Sequence, residues 1–252
     1  MTGPGTNSYL LGREEFMVID PGPAIDAHVD ALCAAVDGRI PYVLVTHTHP
    51  DHSPAARSLA ERCNSELLGR PAPQGSHQDA TFRPDRVLED GDVVSVDGTE
   101  LRALHTPGHA SNHLCFLRVA DGLLFTGDHI INGSTVVIDP PDGNMIQYLE
   151  SLARLRDEAV TVIAPGHGEL LREPLKVIDW TINHRLQREA KVAAALAERP
   201  GTTSLELTAT VYADVERVLH PVAERSLLAH LLKLQSDGRA ACENRRWHML
   251  TG

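Results

Sequence analysis

Tyr42-Val43-Leu44-Val45-Thr46-His47-Thr48-His49-Pro50-Asp51-His52 is the stretch on which the reading of this chain turns. Its first four residues form an apolar run, and the last six carry four metal-capable side chains. The run reads as a strand, and the polar residues as the loop that leaves it. Alternate residues of an extended chain point to the same side, so His47 and His49 share a side, while Asp51 and His52 follow where the chain turns toward a helix. Imidazole and carboxylate suit zinc, or manganese or iron where carboxylate and water dominate. Solvated turns also collect polar residues, but 14 histidines in 252 residues would rarely assemble H-x-H-x-D-H.

Three later segments each place a glycine beside a candidate ligand after an apolar stretch: Thr106-Pro107-Gly108-His109, Phe125-Thr126-Gly127-Asp128 and Ala164-Pro165-Gly166-His167. Glycine permits sharp turns and close backbone approach, which lets strand-end side chains meet at one point.

In this order and spacing, the four segments resemble the metallo-β-lactamase superfamily of binuclear metal hydrolases. Within it the chain is most similar to the β-lactamase-like protein 2 group, through Pro4-Gly5-Thr6-Asn7-Ser8-Tyr9-Leu10, Thr106-Pro107-Gly108-His109, Gly127-Asp128, Gly133-Ser134-Thr135-Val136 and a helical C-terminal extension. The resemblance spans nearly the whole chain. It implies a four-layer αββα sandwich, two sheets face to face with helices outside. It also implies that His47, His49 and His109 hold one ion, that Asp51, His52 and His167 hold a second, and that Asp128 bridges them. Two zinc ions, with manganese or iron as alternatives, would then acidify a shared water toward neutrality and supply hydroxide without a serine or cysteine nucleophile. Asp51 would serve as ligand and as the catalytic group that orients that hydroxide.

The other histidines carry weaker signals. His113 and His129 lie close to His109 and Asp128 in sequence, where a hydrogen bond to a ligand is a common arrangement. His105 falls at the rim of the site or faces away. His28, His77, His184, His220, His230 and His248 read as surface or packing residues.

Composition bounds the remaining possibilities. At 42% apolar content the chain can bury a full core. No run approaches the roughly 18 apolar residues of a membrane span. Met1-Thr2-Gly3-Pro4-Gly5 lacks the basic start and apolar centre of a secretory signal, so the expected location is cytoplasmic. Cys33, Cys63, Cys115 and Cys242 show no C-x-x-C spacing and read as free buried thiols with no assigned role.

Strands are expected over Ser8–Leu11, Phe16–Ile19, Tyr42–Val45, Glu66–Leu68, Val93–Val96, Leu101–Leu104, Leu114–Val119, Leu123–Phe125 and Val160–Ile163. Helices are expected over Ala27–Ala35, Ser53–Arg62 and Met145–Arg156, with Ser53 as cap and Pro54 at the first helical position. The catalytic domain is placed at 1–172, formally −12, and a C-terminal module at 173–252, formally +1. That module reads as a long helix over Glu173–Arg199, short helices over Ser204–Tyr212 and Val222–Gln235, and a wing over Ala240–Trp247. By helical spacing, Leu227, Leu228, Leu231, Leu232 and Leu234 belong to its core. The resemblance makes it winged-helix-like.

Two substrate classes stay open. One is a small ester, thioester or lactone, favoured by the net charge of −11. The other is single-stranded RNA, the activity associated with eukaryotic members of the group. In the RNA reading Arg239, Arg245 and Arg246 on the wing would meet phosphate; in the acyl reading the module covers the site or forms a subunit contact. A β-lactamase is disfavoured, because such enzymes do not usually carry aspartate where Asp128 stands and are exported. A non-catalytic binding protein is disfavoured by the intact ligand set. Oligomeric state is left open.

Overall fold

A computed structural model of the chain describes residues 5–36, 38–74 and 78–250; Pro4 and His77 of the sequence reading lie outside them. The first part of the chain contains β1 (Tyr9–Gly12), β2 (Glu15–Ile19), α1 (Asp26–Ala34), β3 (Arg39–Leu44), α2 (Ala56–Cys63), β4 (Glu66–Gly69), β5 (Arg86–Val87), β6 (Val93–Val96), β7 (Thr99–His105), β8 (Leu114–Arg118), β9 (Leu123–Gly127), α3 (Met145–Leu155) and β10 (Val162–Pro165). It is followed by α4 (Pro174–Glu198), α5 (Ser204–Val211), a 3₁₀ turn over Arg217–Leu219, α6 (His220–Ser236), β11 (Ala240–Glu243) and β12 (Arg246–Met249).

Strands β1 to β10 form two five-stranded sheets, ordered β1-β2-β3-β4-β5 and β10-β9-β8-β7-β6, and β11 pairs with β12. In the first, β2 through β5 run parallel and β1 antiparallel to β2; in the second, only β9 and β10 are parallel. Side-chain alternation sorts the apolar runs into three layers of contact. Met17, Ile19, Leu44, Leu68, Leu101, Leu114, Phe116 and Phe125 meet between the sheets. Val18, Val43, Val45 and Leu67 point the other way, onto α1 and α2 through Val29, Leu32, Leu59 and Ala60. Leu104, Cys115, Leu117 and Leu124 pack outward on α3 through Met145, Tyr148, Leu152 and Leu155. Sheets covered on both faces need continuous apolar strands, so these runs give the αββα sandwich the resemblance implied.

One helix start differs from expectation. α2 begins at Ala56, its cap is Ala55, and no side chain caps it. Ser53 instead donates through Oγ to Asp79 Oδ2 at 2.7 Å, and its carbonyl accepts from the Ala56 amide at 2.9 Å. A tight turn therefore separates the histidine loop from the helix. α3, by contrast, is capped by Asn144 Oδ1, which accepts from the amides of Ile146 and Gln147.

The C-terminal elements build a separate core from Val192, Leu196, Leu207, Val211, Leu227, Leu231, Leu234 and Trp247. Leu228 is only partly buried and Leu232 is 40% exposed, so these two correct the expectation of a five-leucine core. The wing is a hairpin whose turn residues Asn244 and Arg245 both adopt positive φ, 51° and 65°. α4 spans both units, contributing Ile178 to the core under β8 and β9 and Val192 and Leu196 to the C-terminal core. Among the described residues no helix is long and apolar enough to cross a membrane.

Candidate metal centre

The histidine loop leaves β3 at the end of the first sheet, and the other ligand segments leave the second sheet toward it. His109 follows β7, Asp128 follows β9, and His167 follows β10. The structure brings all seven side chains named from the sequence together. Ligand atoms of His47, His49 and His109 lie within 4.8 Å of one another, as do those of His47, His52 and Asp128, and those of Asp51, His52 and His167.

The cluster has two poles. At one, His49 Nδ1 lies 2.8 Å from His47 Nε2 and 3.0 Å from His109 Nε2. At the other, His167 Nε2 lies 3.2 Å from Asp51 Oδ2, and His52 Nε2 lies 3.7 Å from the same oxygen. Asp128 stands between. Its Oδ1 faces His52 and His167 at 3.4 and 3.3 Å, and its Oδ2 faces His109 at 3.8 Å.

The ring nitrogens that point away from the centre are held by the protein. His52 Nδ1 lies 2.9 Å from Asp20 Oδ2, His109 Nδ1 donates to the Val137 carbonyl at 2.7 Å, and His167 Nδ1 donates to the Gly5 carbonyl at 2.9 Å. His47 Nδ1 meets Thr46 Oγ1 at 3.0 Å, while that hydroxyl donates to Asp20 Oδ2 at 2.7 Å. Such outer bonds fix each ring's orientation and leave the inner nitrogen free to coordinate. Asp20 is 2% exposed, and the Thr46 amide also donates to it.

This outer ring differs from the sequence expectation. His113 Nδ1 meets Thr106 Oγ1 at 3.0 Å, and neither ring nitrogen of His129 has a hydrogen-bond partner among the described residues. Neither donates to a ligand; both are buried and pack by their rings, His113 against His47 and His129 against Tyr148. Asp20 was missed because Asp20-Pro21-Gly22 reads as an ordinary turn. Its signal is the apolar run Phe16–Ile19 ending in a carboxylate, with a glycine two residues further on. The His105 ring lies 3.0 Å from the Ser111 carbonyl and belongs to none of the ligand groups.

Electrostatics divide along the same poles. Burial, then the neighbouring imidazoles, holds His47 well below the ordinary histidine range and pushes His49 down to about 3. Burial also lowers His109, against a smaller pull from Asp128. For His52 burial works in the same sense, but Asp128 and Asp20 outweigh it and raise the ring well above its ordinary value. His167 is likewise raised against burial, to about 10, by Asp128 and Asp51. Burial opposes ionisation of Asp128, but His52, His167 and His109 hold its carboxyl well below the usual range.

A divalent metal fits this donor set. His52 Nε2, His167 Nε2 and Asp128 Oδ1 are buried, have no hydrogen-bond partner among the described residues, and converge on one another. Buried polar atoms left unpaired are costly and call for an explanation, and a shared cation gives one. A cleft of about 540 Å³ opens beside His49 and His109, within the usual range for small-molecule sites. Its walls include Gln78, Ser111, Asp139, Asp142 and Arg225. Arg225, on α6, lies 3.1 Å from Asp139 Oδ2, so the C-terminal module reaches the cleft. Sequence reasoning missed it because no motif marks it.

A sandwich with strand-end histidines and aspartates around one centre defines a metal-binding hydrolase. Residues 1–167 match the metallo-beta-lactamase superfamily, and residues 203–247 match the beta-lactamase associated winged helix domain. The chain belongs to the metallo-β-lactamase superfamily. It is 32% identical to a beta-lactamase-like protein 2 homolog of Drosophila melanogaster, over 95% of this chain and 85% of that one. It is also 32% identical to an atrochrysone carboxyl ACP thioesterase of Aspergillus chevalieri, over 95% of this chain and 78% of the relative. The crystal structure of a metallo-beta-lactamase family protein from Thermus thermophilus shares the fold, with a TM-score of 0.83 at 21% identity, covering 97% of this chain and 94% of that one.

Proposed function

We propose that the protein is a binuclear, zinc-dependent hydrolase of small thioesters, with esters and lactones as chemically related substrates. In this reading His47, His49 and His109 would hold one ion, Asp51, His52 and His167 a second, and Asp128, which stands between the two groups, would be shared. When bound, the ions would supply Lewis acidity and lower the pKa of water toward neutrality. The protein's own groups do the rest. Asp51 Oδ2, which accepts from Thr6 Oγ1 at 3.3 Å and is partly exposed, orients the attacking water and takes its proton. Water adds at the acyl carbon, the carbon–sulfur bond breaks, and a carboxylate and a thiol leave.

The observation that carries the substrate class is the charge of the cleft. Among the described residues its lining has one cation, Arg225, which pairs with Asp139, and a further carboxylate, Asp142. A chain of phosphates needs several cations along its path. Arg239, Arg245 and Arg246 are not among the described residues that line the cleft, and two of them are engaged elsewhere: Arg239 bonds Glu189, and Arg246 bonds the Gly201 carbonyl. A largely neutral acyl body suits such a wall, and the thioesterase named among the relatives is in accord with it.

The test is a side-by-side turnover assay on acyl-glutathione, acyl-CoA, a lactone and labelled single-stranded RNA, with Asp51→Ala as control. Thiol release that requires metal and disappears in the variant is the expected result. Metal-dependent RNA cleavage lost in Asp51→Ala, with no acyl turnover, overturns the proposal in favour of a ribonuclease.

A further inference from the structure

All four cysteines are free thiols, but only Cys115 is buried, which corrects the expectation of four buried thiols. Cys33 on α1 and Cys63 at the end of α2 are partly exposed, and their sulfurs lie 3.4 Å apart. The helices that carry them are held side by side. Arg62, the neighbour of Cys63, pairs with Asp26 at 2.8 Å and with Asp30, both on α1. Leu32, Leu59 and Ala60 belong to the same core cluster, against which both cysteines pack. Two reachable thiols are thus presented to each other by elements already fixed in place.

We propose that Cys33 and Cys63 form a dithiol modification site that a low-molecular-weight disulfide converts to an intramolecular bond. One sulfur attacks the reagent, its disulfide breaks, and a first small thiol leaves. The second cysteine then displaces the reagent's remaining half as a second thiol. The Cys33–Cys63 bond forms, and the two electrons and two thiol protons end on the two released thiols. Burial, then the facing Cys33, pushes the Cys63 thiol up to about 11, so attack by Cys63 is slow at neutral pH and accelerates as pH rises.

The position of the pair in the chain gives the bond a consequence. Residues 33 to 63 enclose β3, the His47–His52 segment and α2. The crosslink therefore closes a loop around four of the seven clustered side chains. Closing a loop restricts the unfolded chain, so the oxidised protein unfolds at a higher midpoint.

The test treats metal-loaded protein with oxidised glutathione at mildly alkaline pH. Expected are the loss of two hydrogens in mass, a peptide pair joined through Cys33 and Cys63, and a rise in the unfolding midpoint on the order of 10 °C. Under the same treatment Cys63→Ser should keep a glutathione adduct on Cys33 and show no rise. Stable adducts on Cys33 or Cys63 of the unaltered protein would overturn the proposal. So would continued alkylation of both thiols after treatment, or equal midpoints for the oxidised and reduced forms.

Discussion

Gly166 has no side chain at a point where one would enter the cluster. A β-carbon there would lie 2.7 Å from Asp128 Oδ1 and 2.8 Å from His52 Cε1. Gly166→Ala is therefore expected to displace the Asp128 carboxylate and to lower metal content by elemental analysis, with circular dichroism unchanged. Gly108 meets a different constraint: its φ is +136°, and a β-carbon would lie 2.3 Å from Tyr148 Cα, so this glycine sets how closely α3 approaches the His109 loop. Asp20 acts at one remove from the clustered ligand atoms, through the Nδ1 of His52 and the hydroxyl of Thr46. Asp20→Asn keeps the shape but weakens both bonds, and should cost about 10- to 100-fold in metal affinity, read by competition with a chromogenic chelator. Unchanged affinity would show that His52 needs no such support.

At the scale of elements, the C-terminal module is fastened to the loop that orients His109. Arg185 on α4 donates to the Val136 carbonyl, Ser226 Oγ on α6 accepts from the Ile138 amide at 3.2 Å, and Arg225 pairs with Asp139. The Val137 carbonyl between them holds the His109 ring. Arg225→Gln should raise KM for an acyl substrate about 10-fold with kcat little changed, as expected for loss of a contact outside the reacting bond. The triple change of Arg239, Arg245 and Arg246 to glutamine should leave both constants within about 2-fold, because surface contacts remote from a site carry little of its energy. A larger effect from the wing than from Arg225 would reverse the assignment. The same contrast shows what the sequence could convey. Long apolar runs and the strand-end motifs made both sheets and all seven clustered residues legible, since burial on two faces and close ligand spacing leave local patterns. β5 left no such pattern, being two exposed residues paired only to the edge of the first sheet. Ser53-Pro54 carried a helix-start signal that lost to a tertiary bond with Asp79. Arg225, Asp20 and the nearness of Cys33 to Cys63 arise from long-range packing, which local spacing does not encode.

Across the whole molecule, the histidines tie stability to pH in two directions. His47, His49, His109, His113 and His129 are lowered, chiefly by burial, so they bind fewer protons folded than unfolded. Their share of stability is present above the ordinary value of 6.5 and is lost as pH falls below it. His52 and His167 are raised, so their share is complete below 6.5 and is lost as pH climbs, for His167 through about 10. Metal-free protein should therefore be most stable near pH 6.5 in urea titrations, falling more steeply on the acid side; a monotonic rise to pH 10 would contradict these protonation states. The same logic requires the Asp51, His52 and His167 pole to release protons when it takes up a cation, since ligands must be deprotonated to bind. The most direct test of the binuclear hydrolase is to titrate metal-free protein with zinc while following thiol release from an acyl thioester. The account predicts negligible turnover without metal, a rise that saturates at two ions per chain, and loss of activity on chelation. Saturation at one ion per chain, or full turnover in the presence of chelator, would contradict it.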